Sequence, residues 1–131
     1  MSSSDSYKFT KAERLCRTKL INYLFEQGNT FHYGIFKVVW SVSPLEIPSP
    51  AQVAFSVSKR SFRHAVSRNL AKRKMREAYR LNKSALYQHL ITLRKQVVFV
   101  IILKGNEIPS FDIVEKSVKG VIEKLITLNK A

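Results

Sequence analysis

The sequence predicts an α/β (α+β) two-layer sandwich, one sheet of about four strands packed against about three helices. Three observations predict it. Stretches of helical periodicity alternate with short β-branched runs, which places helices against a sheet. Hydrophobic residues make up 45% of the chain, a globular rather than a disordered composition. The 131 residues suit one domain large enough to bury a core without staples. Residues 8–131 are read as that domain, and the Ser-rich residues 1–7 as a disordered N-terminus.

Each element has its own warrant. Thr10 and Glu13 have capping-box spacing and predict a helix start. Leu15, Leu20, Tyr23, Leu24 and Phe25 give that helix a ragged apolar face, and Gly28 suits the C′ position. Residues 31–42 read as one strand, with Phe36, Val38, Trp40 and Val42 on one face and Tyr33, Ile35 and Val39 on the other. Pro44, Pro48 and Pro50 punctuate a loop. Residues 52–58 form the next strand, which could pair with the first across that loop. Residues 64–81 read as a long helix and 84–93 as a short one. The apolar, β-branched run Val97–Leu103 fits a buried central strand. Gly105 and Pro109 end it, and Ser110 caps a last helix carrying Phe111, Val114, Val118, Val121, Ile122 and Leu125 at helical spacing.

Charge narrows the function. Lys and Arg total 23 against 9 acids, for a net +14. Such a charge repels itself and calls for a polyanion, either nucleic acid or an anionic membrane. The longest apolar run is far short of the roughly 20 residues that span a bilayer, and the polar first residues carry no secretory signal. The single Cys16 allows no internal disulfide and fits a reducing cytoplasm, as a small core or boundary residue of the first helix.

The charge is concentrated. Residues 59–83 hold ten basic side chains and one acid, Glu77. At about 100° per residue, Arg68, Asn69, Lys72, Arg73, Arg76 and Arg80 fall within an arc of roughly 140°. Leu70, Ala71, Met75, Ala78 and Leu81 lie opposite, interrupted by Lys74. A solvated face mixes signs for i,i+4 pairing. One-signed donors instead fit phosphates, with Arg bidentate and Lys a point charge. Charge alone does not separate DNA from RNA.

Nothing in the sequence assembles an autonomous nuclease. The acids are scattered, and Asp112 with Glu115 offset the dipole of the last helix. His32, His64 and His89 lie in different elements without metal spacing. There is no Ser/His/Asp arrangement and no Gly-rich phosphate loop.

The stretch FSVSKRSFRHAVSRNLAKRKMREAYR, residues 55–80, resembles the signature of the bacterial ribonuclease P protein component family. The matches are Ser56, Val57, Ser58 and Lys59 at a strand end, then Ala65, Val66, Arg68, Asn69, Lys72, Arg73 and Arg76 on the helix. YLFEQG, residues 23–28, resembles the end of the family's first helix. Three positions depart from the pattern. Leu70 stands where Arg is usual, the turn 61–64 is one residue longer and lacks the usual Gly, and Ile21 replaces a Phe.

The resemblance implies a compact domain with a left-handed βαβ crossover, against the usual hand. It implies an accessory subunit of an endoribonuclease that matures the 5′ ends of precursor tRNA, with phosphodiester hydrolysis carried by the catalytic RNA and its Mg²⁺. The expected partners are that RNA, at one-to-one stoichiometry, and precursor tRNA, with no membrane and no obligate protein partner. Lys59, Arg60, Arg63, Arg68, Asn69, Lys72, Arg73, Arg76 and Arg80 are expected to contact RNA. Phe25, Phe36 and Trp40 are expected in a cleft that holds the single-stranded 5′ leader, with core packing as the alternative for the same rings. The competing functions are a ribosomal or other structural RNA-binding protein and a helix-turn-helix DNA binder.

Overall fold

A computed structural model describes residues 8–130; the expected disorder of residues 1–7 falls outside them. After a 3-10 turn at Lys11–Glu13 the chain forms α1 (Thr18–Gln27), β1 (Asn29–Tyr33), β2 (Phe36–Val42), β3 (Ala51–Val57), α2 (Ala65–Asn82), α3 (Ser84–Leu93), β4 (Val97–Leu103) and α4 (Phe111–Leu128). The strands form one mixed sheet in the order β1-β2-β4-β3. β1, β2 and β4 run antiparallel in turn, and β3 lies parallel to β4. The fold class is the expected one, with four helices instead of about three.

Strand alternation divides the core. Phe36, Val38 and Trp40 of β2, Val53 of β3, and Phe99 and Ile101 of β4 point at α2, α3 and α4. Val39, Val98 and Val100 point the other way, onto Leu20 and Leu24 of α1. β4 is thus buried on both faces, which its unbroken apolar sequence requires.

Four local expectations change. The 31–42 strand is a hairpin, broken at Gly34, whose φ of +54° is left-handed. β2 and β3 do not pair, because β4 takes the place between them. Glu13 does bind Thr10, accepting from its amide at 2.5 Å and its hydroxyl at 3.0 Å. What this pair caps is only the 3-10 turn, because residues 14–15 then run along the β3 edge, where Leu15 N–H donates to the Val53 carbonyl at 3.0 Å. That segment covers an otherwise open strand edge. Gly28 ends α1 with an extended φ of −74°, and its need is space: a Cβ would lie 2.3 Å from the Leu24 carbonyl.

A buried ion pair ties the N-terminal segment to the helices. Lys83, between α2 and α3, donates to the Glu13 carboxylate and the Lys8 carbonyl, and both charged side chains are buried. Burial by itself raises the Glu13 pKa, but hydrogen bonds from Lys83, Thr10 and Tyr87, with the Lys83 charge, hold it below the ordinary 4.5. Glu13→Ala, which strands the Lys83 ammonium, is expected to cost about 3–5 kcal/mol in urea denaturation. Because the folded pKa is the lower one, the carboxylate stabilises above the ordinary value and this is lost as pH falls through the folded value. Acid melting below pH 4.5 should therefore be shallower in Glu13→Gln than in the parent. Gly120 of α4 offers a separate test, since a Cβ there would fall 1.8 Å from the Tyr33 ring. Gly120→Ala should lower stability by about 1–3 kcal/mol, read by thermal melting.

Candidate nucleic-acid interface

The rotation of α2 about its axis decides which cations face outward. Ala71, Met75, Ala78 and Tyr79 are buried. Tyr79 meets Phe9, Phe55 and Phe99 edge-on at 5.9 Å and Tyr87 at 6.4 Å. Its hydroxyl lies 3.3 Å from that of Tyr87, and burial pushes its pKa up. With this ring inward, Asn69, Arg73 and Arg76 are exposed, and Lys72 and Arg80 flank them half-buried. Leu70 and Leu81, expected on the packed side, are each 39% exposed. The buried stripe is narrower than expected and is turned toward Tyr79.

The turn before α2 has its own scaffold. The Ser58 hydroxyl accepts from the Arg60 amide at 3.1 Å, and the Ser58 carbonyl accepts from the Phe62 amide at 2.9 Å. Phe62 is buried and anchors the longer turn. Arg68 donates back to the carbonyls of Phe62 at 2.7 Å and Arg63 at 3.1 Å. Lys59, Arg60 and Arg63 are exposed around it. The nine expected RNA-contacting residues thus form one region, with unequal freedom. Arg80 makes a forked contact with Glu77, at 3.1 and 2.5 Å, and its hydrogen bond lowers the Glu77 pKa. Lys74 is outside the region, donating to the Pro109 carbonyl at 2.8 Å.

The three expected cleft rings separate. Phe36 and Trp40 are core residues under α2 and α4, because even positions of β2 face those helices. Phe25 is 58% exposed on α1, the helix on the opposite sheet face. It stands one turn on from Ile21, which, like Ala54 and Ile102, packs against the buried cluster on that face. Ala54, Ser56 and Ile102 remain half-exposed beside α1. Ser56 was singled out only as a signature match and Ala54 not at all, although alternation against buried Val53 and Val57 identifies their face. Cys16, expected in the core or at its boundary, is exposed in the extended stretch before α1. Among the described residues, no three His, Cys, Asp or Glu side chains gather to hold a metal ion. No helix there is long and apolar enough to cross a membrane.

Comparison with known proteins decides the family. The family model described as Ribonuclease P matches residues 9–126. The chain belongs to the ribonuclease P protein family. It is 33% identical over 119 residues to the ribonuclease P protein component of Porphyromonas gingivalis, covering 91% of this chain and 87% of that one. It is also 33% identical over 125 residues to the component of Chlorobium phaeobacteroides, covering 88% and 86%. Two solved structures share the fold. A Staphylococcus aureus ribonuclease P protein mutant, described as defective in mRNA degradation, matches with a TM-score of 0.70 at 22% identity, over 87% of this chain and 88% of that one. The Thermotoga maritima ribonuclease P protein gives 0.67 at 20% identity, over 86% and 96%. Membership of the ribonuclease P family makes the chain a component of a tRNA-processing endoribonuclease with an RNA partner.

Arg68 and Arg73 should behave differently in the free protein. Arg68→Ala removes the ties to the Phe62 and Arg63 carbonyls, so amide exchange across residues 59–64 should accelerate. Arg73→Ala should leave that exchange unchanged.

Proposed function

We propose that this chain is the protein subunit of ribonuclease P. It binds the catalytic RNA one-to-one through α2 and the turn before it, and holds the 5′ leader of precursor tRNA beside α1. Through these contacts it assists endonucleolytic maturation of the tRNA 5′ end in the cytoplasm. The observation that carries the reading is the exposed arc of Asn69, Arg73 and Arg76, continued by Lys72 and by Lys59, Arg60 and Arg63. Donors of one sign held on a rigid helix repel one another until phosphates lie against them. Asn69 adds a group able to bond a base edge or a ribose hydroxyl. Phe25 supplies a ring on which an unpaired leader base stacks, worth about 1–3 kcal/mol.

Hydrolysis belongs to the RNA in this reading. The scattered acids of this chain give Mg²⁺ no cage among the described residues, so the ion is assigned to the RNA partner. The protein neutralises phosphates, orients the leader and favours metal binding by the assembled complex.

Reconstitution tests the reading. Mixed with a bacterial ribonuclease P RNA at low Mg²⁺, the protein should stimulate cleavage of precursor tRNA at the mature 5′ end and cleave nothing alone. Tight binding to ribosomal RNA without stimulation would instead identify a structural RNA-binding protein. Arg73→Ala should weaken binding to the catalytic RNA and lower its salt slope by about one, while Arg80→Ala, already paired with Glu77, should lower it less. Leu70→Arg, at an exposed position on α2, should tighten that binding.

A further inference from the structure

We propose a binding site for a small organic carboxylate with an apolar body, in the cavity between the β2–β3 loop and the end of α3. The cavity has a volume of about 360 Å³, at the small end for ligand pockets. Ile47, Pro48 and Pro50 wall it on the loop side, and Leu90 and Ile91 on the helix side.

Both sides are held in place by the chain itself. Gln96 staples the loop with its side-chain amide. Its Oε1 accepts from the Ile47 amide at 3.1 Å, and its Nε2 donates to the carbonyls of Ile47 at 2.5 Å and Ser49 at 3.2 Å. The Val97 amide donates to the Pro50 carbonyl at 3.0 Å, which ties the loop to β4. Ser49 sits between two prolines, which restrict its backbone. On the helix side the chain turns at Arg94, whose φ of +55° is left-handed. The amides of Arg94 and Lys95 donate to the carbonyls of Ile91 and Leu90, at 3.1 and 3.0 Å.

One buried group in this frame is left unserved. Ser49 lines the cavity and is only 7% exposed, yet its hydroxyl has no hydrogen-bond partner among the described residues. A buried hydroxyl without a partner destabilises the fold, and an acceptor entering the cavity relieves that. Charge says which acceptor. Arg94 and Lys95 line the same cavity, and among the described residues neither meets a carboxylate. Lys95 gives one donor to the Lys130 carbonyl at 3.1 Å, and the Arg94 guanidinium has no partner among the described residues. The C-terminal end of α3 carries a partial negative charge, which two full positive charges outweigh. A carboxylate accepts from a guanidinium fork and a hydroxyl together. The apolar walls then take the rest of the molecule, which a bare phosphate does not offer.

The site stands apart from the RNA-facing surface. The loop precedes β3 and the cationic turn follows it, seven residues away, about 20 Å of strand. Binding there is independent of the function proposed above.

Amide NMR on the full chain, titrated with phenylpropanoate, tests the site. Amides of residues 47–50 and 90–96 should shift and saturate. Neutral phenylpropanamide should bind roughly tenfold more weakly, and inorganic phosphate should leave the amides of residues 47–50 in place. Arg94→Asn retains a residue that adopts the left-handed conformation, and should weaken binding of the acid roughly tenfold. Lys104→Gln, just past the far end of β4, should leave it unchanged. Ser49→Ala gives a readout that a structural hydroxyl would not. It should raise the melting temperature of the free protein, by removing an unpaired buried group, and weaken the acid about fivefold. Shifts confined to other residues, equal binding of the amide or of phosphate, unchanged binding in Arg94→Asn, or a lowered melting temperature with unchanged binding in Ser49→Ala would each overturn the site.

Discussion

The burial of Tyr79 governs the outer surface as much as the core. Its ring closes on Phe9, Phe55, Phe99 and Tyr87, so it joins the N-terminal segment, two strands and two helices at one point. A helix whose buried face is otherwise Ala71, Met75 and Ala78 has little apolar bulk to resist rolling. Tyr79 supplies that bulk and sets the roll. Close by, Tyr87 bonds Glu13, and Glu13 is paired with Lys83 just beyond the end of α2. The direction in which Arg73 and Arg76 point is therefore settled by packing on the far side of their helix.

The sheet divides the work between its two faces. One face is closed by α2, α3 and α4 and holds most of the apolar mass. The other is only partly roofed by α1, and beside that roof lie Ala54, Ser56 and Ile102. Small and polar side chains on that part of the face leave room that larger ones would fill. The cationic turn before α2 stands where the two faces meet, at the C-terminal ends of β3 and β4. One compact chain thus carries two differently built surfaces, a charged helix and a partly apolar sheet face.

Much of this was legible in the sequence, for identifiable reasons. α2, α3, β4 and α4 announced themselves through long periodic or unbroken apolar runs, and the Ser110 cap fell where expected, accepting from the Ile113 amide at 3.4 Å. The concentration of charge on α2 was equally visible. Errors arose where a local signal was obeyed on a smaller scale or overruled by distant packing. Thr10 and Glu13 pair as their spacing implies, yet the pair serves three residues because the next ones are drawn to the β3 edge. Gly34 alone between Tyr33 and Ile35 gives no strong turn signature. Phe36 and Trp40 have the chemistry of stacking residues, and only the register of β2 sends them inward.

The central position of β4 also sets a timetable for the newborn chain. β2 and β3 each need β4 as their neighbour, and β4 comes from the last third of the sequence. While the ribosome is still making the α2 and α3 region, β3 has no strand to pair with and the β1–β2 hairpin has no sheet to join. A hairpin and isolated helices are only marginally stable in water. The sheet therefore closes late, in one cooperative step, after almost the whole polypeptide has emerged. Until then the arginine-rich segment is exposed on an unfolded chain, beside a machine made largely of RNA.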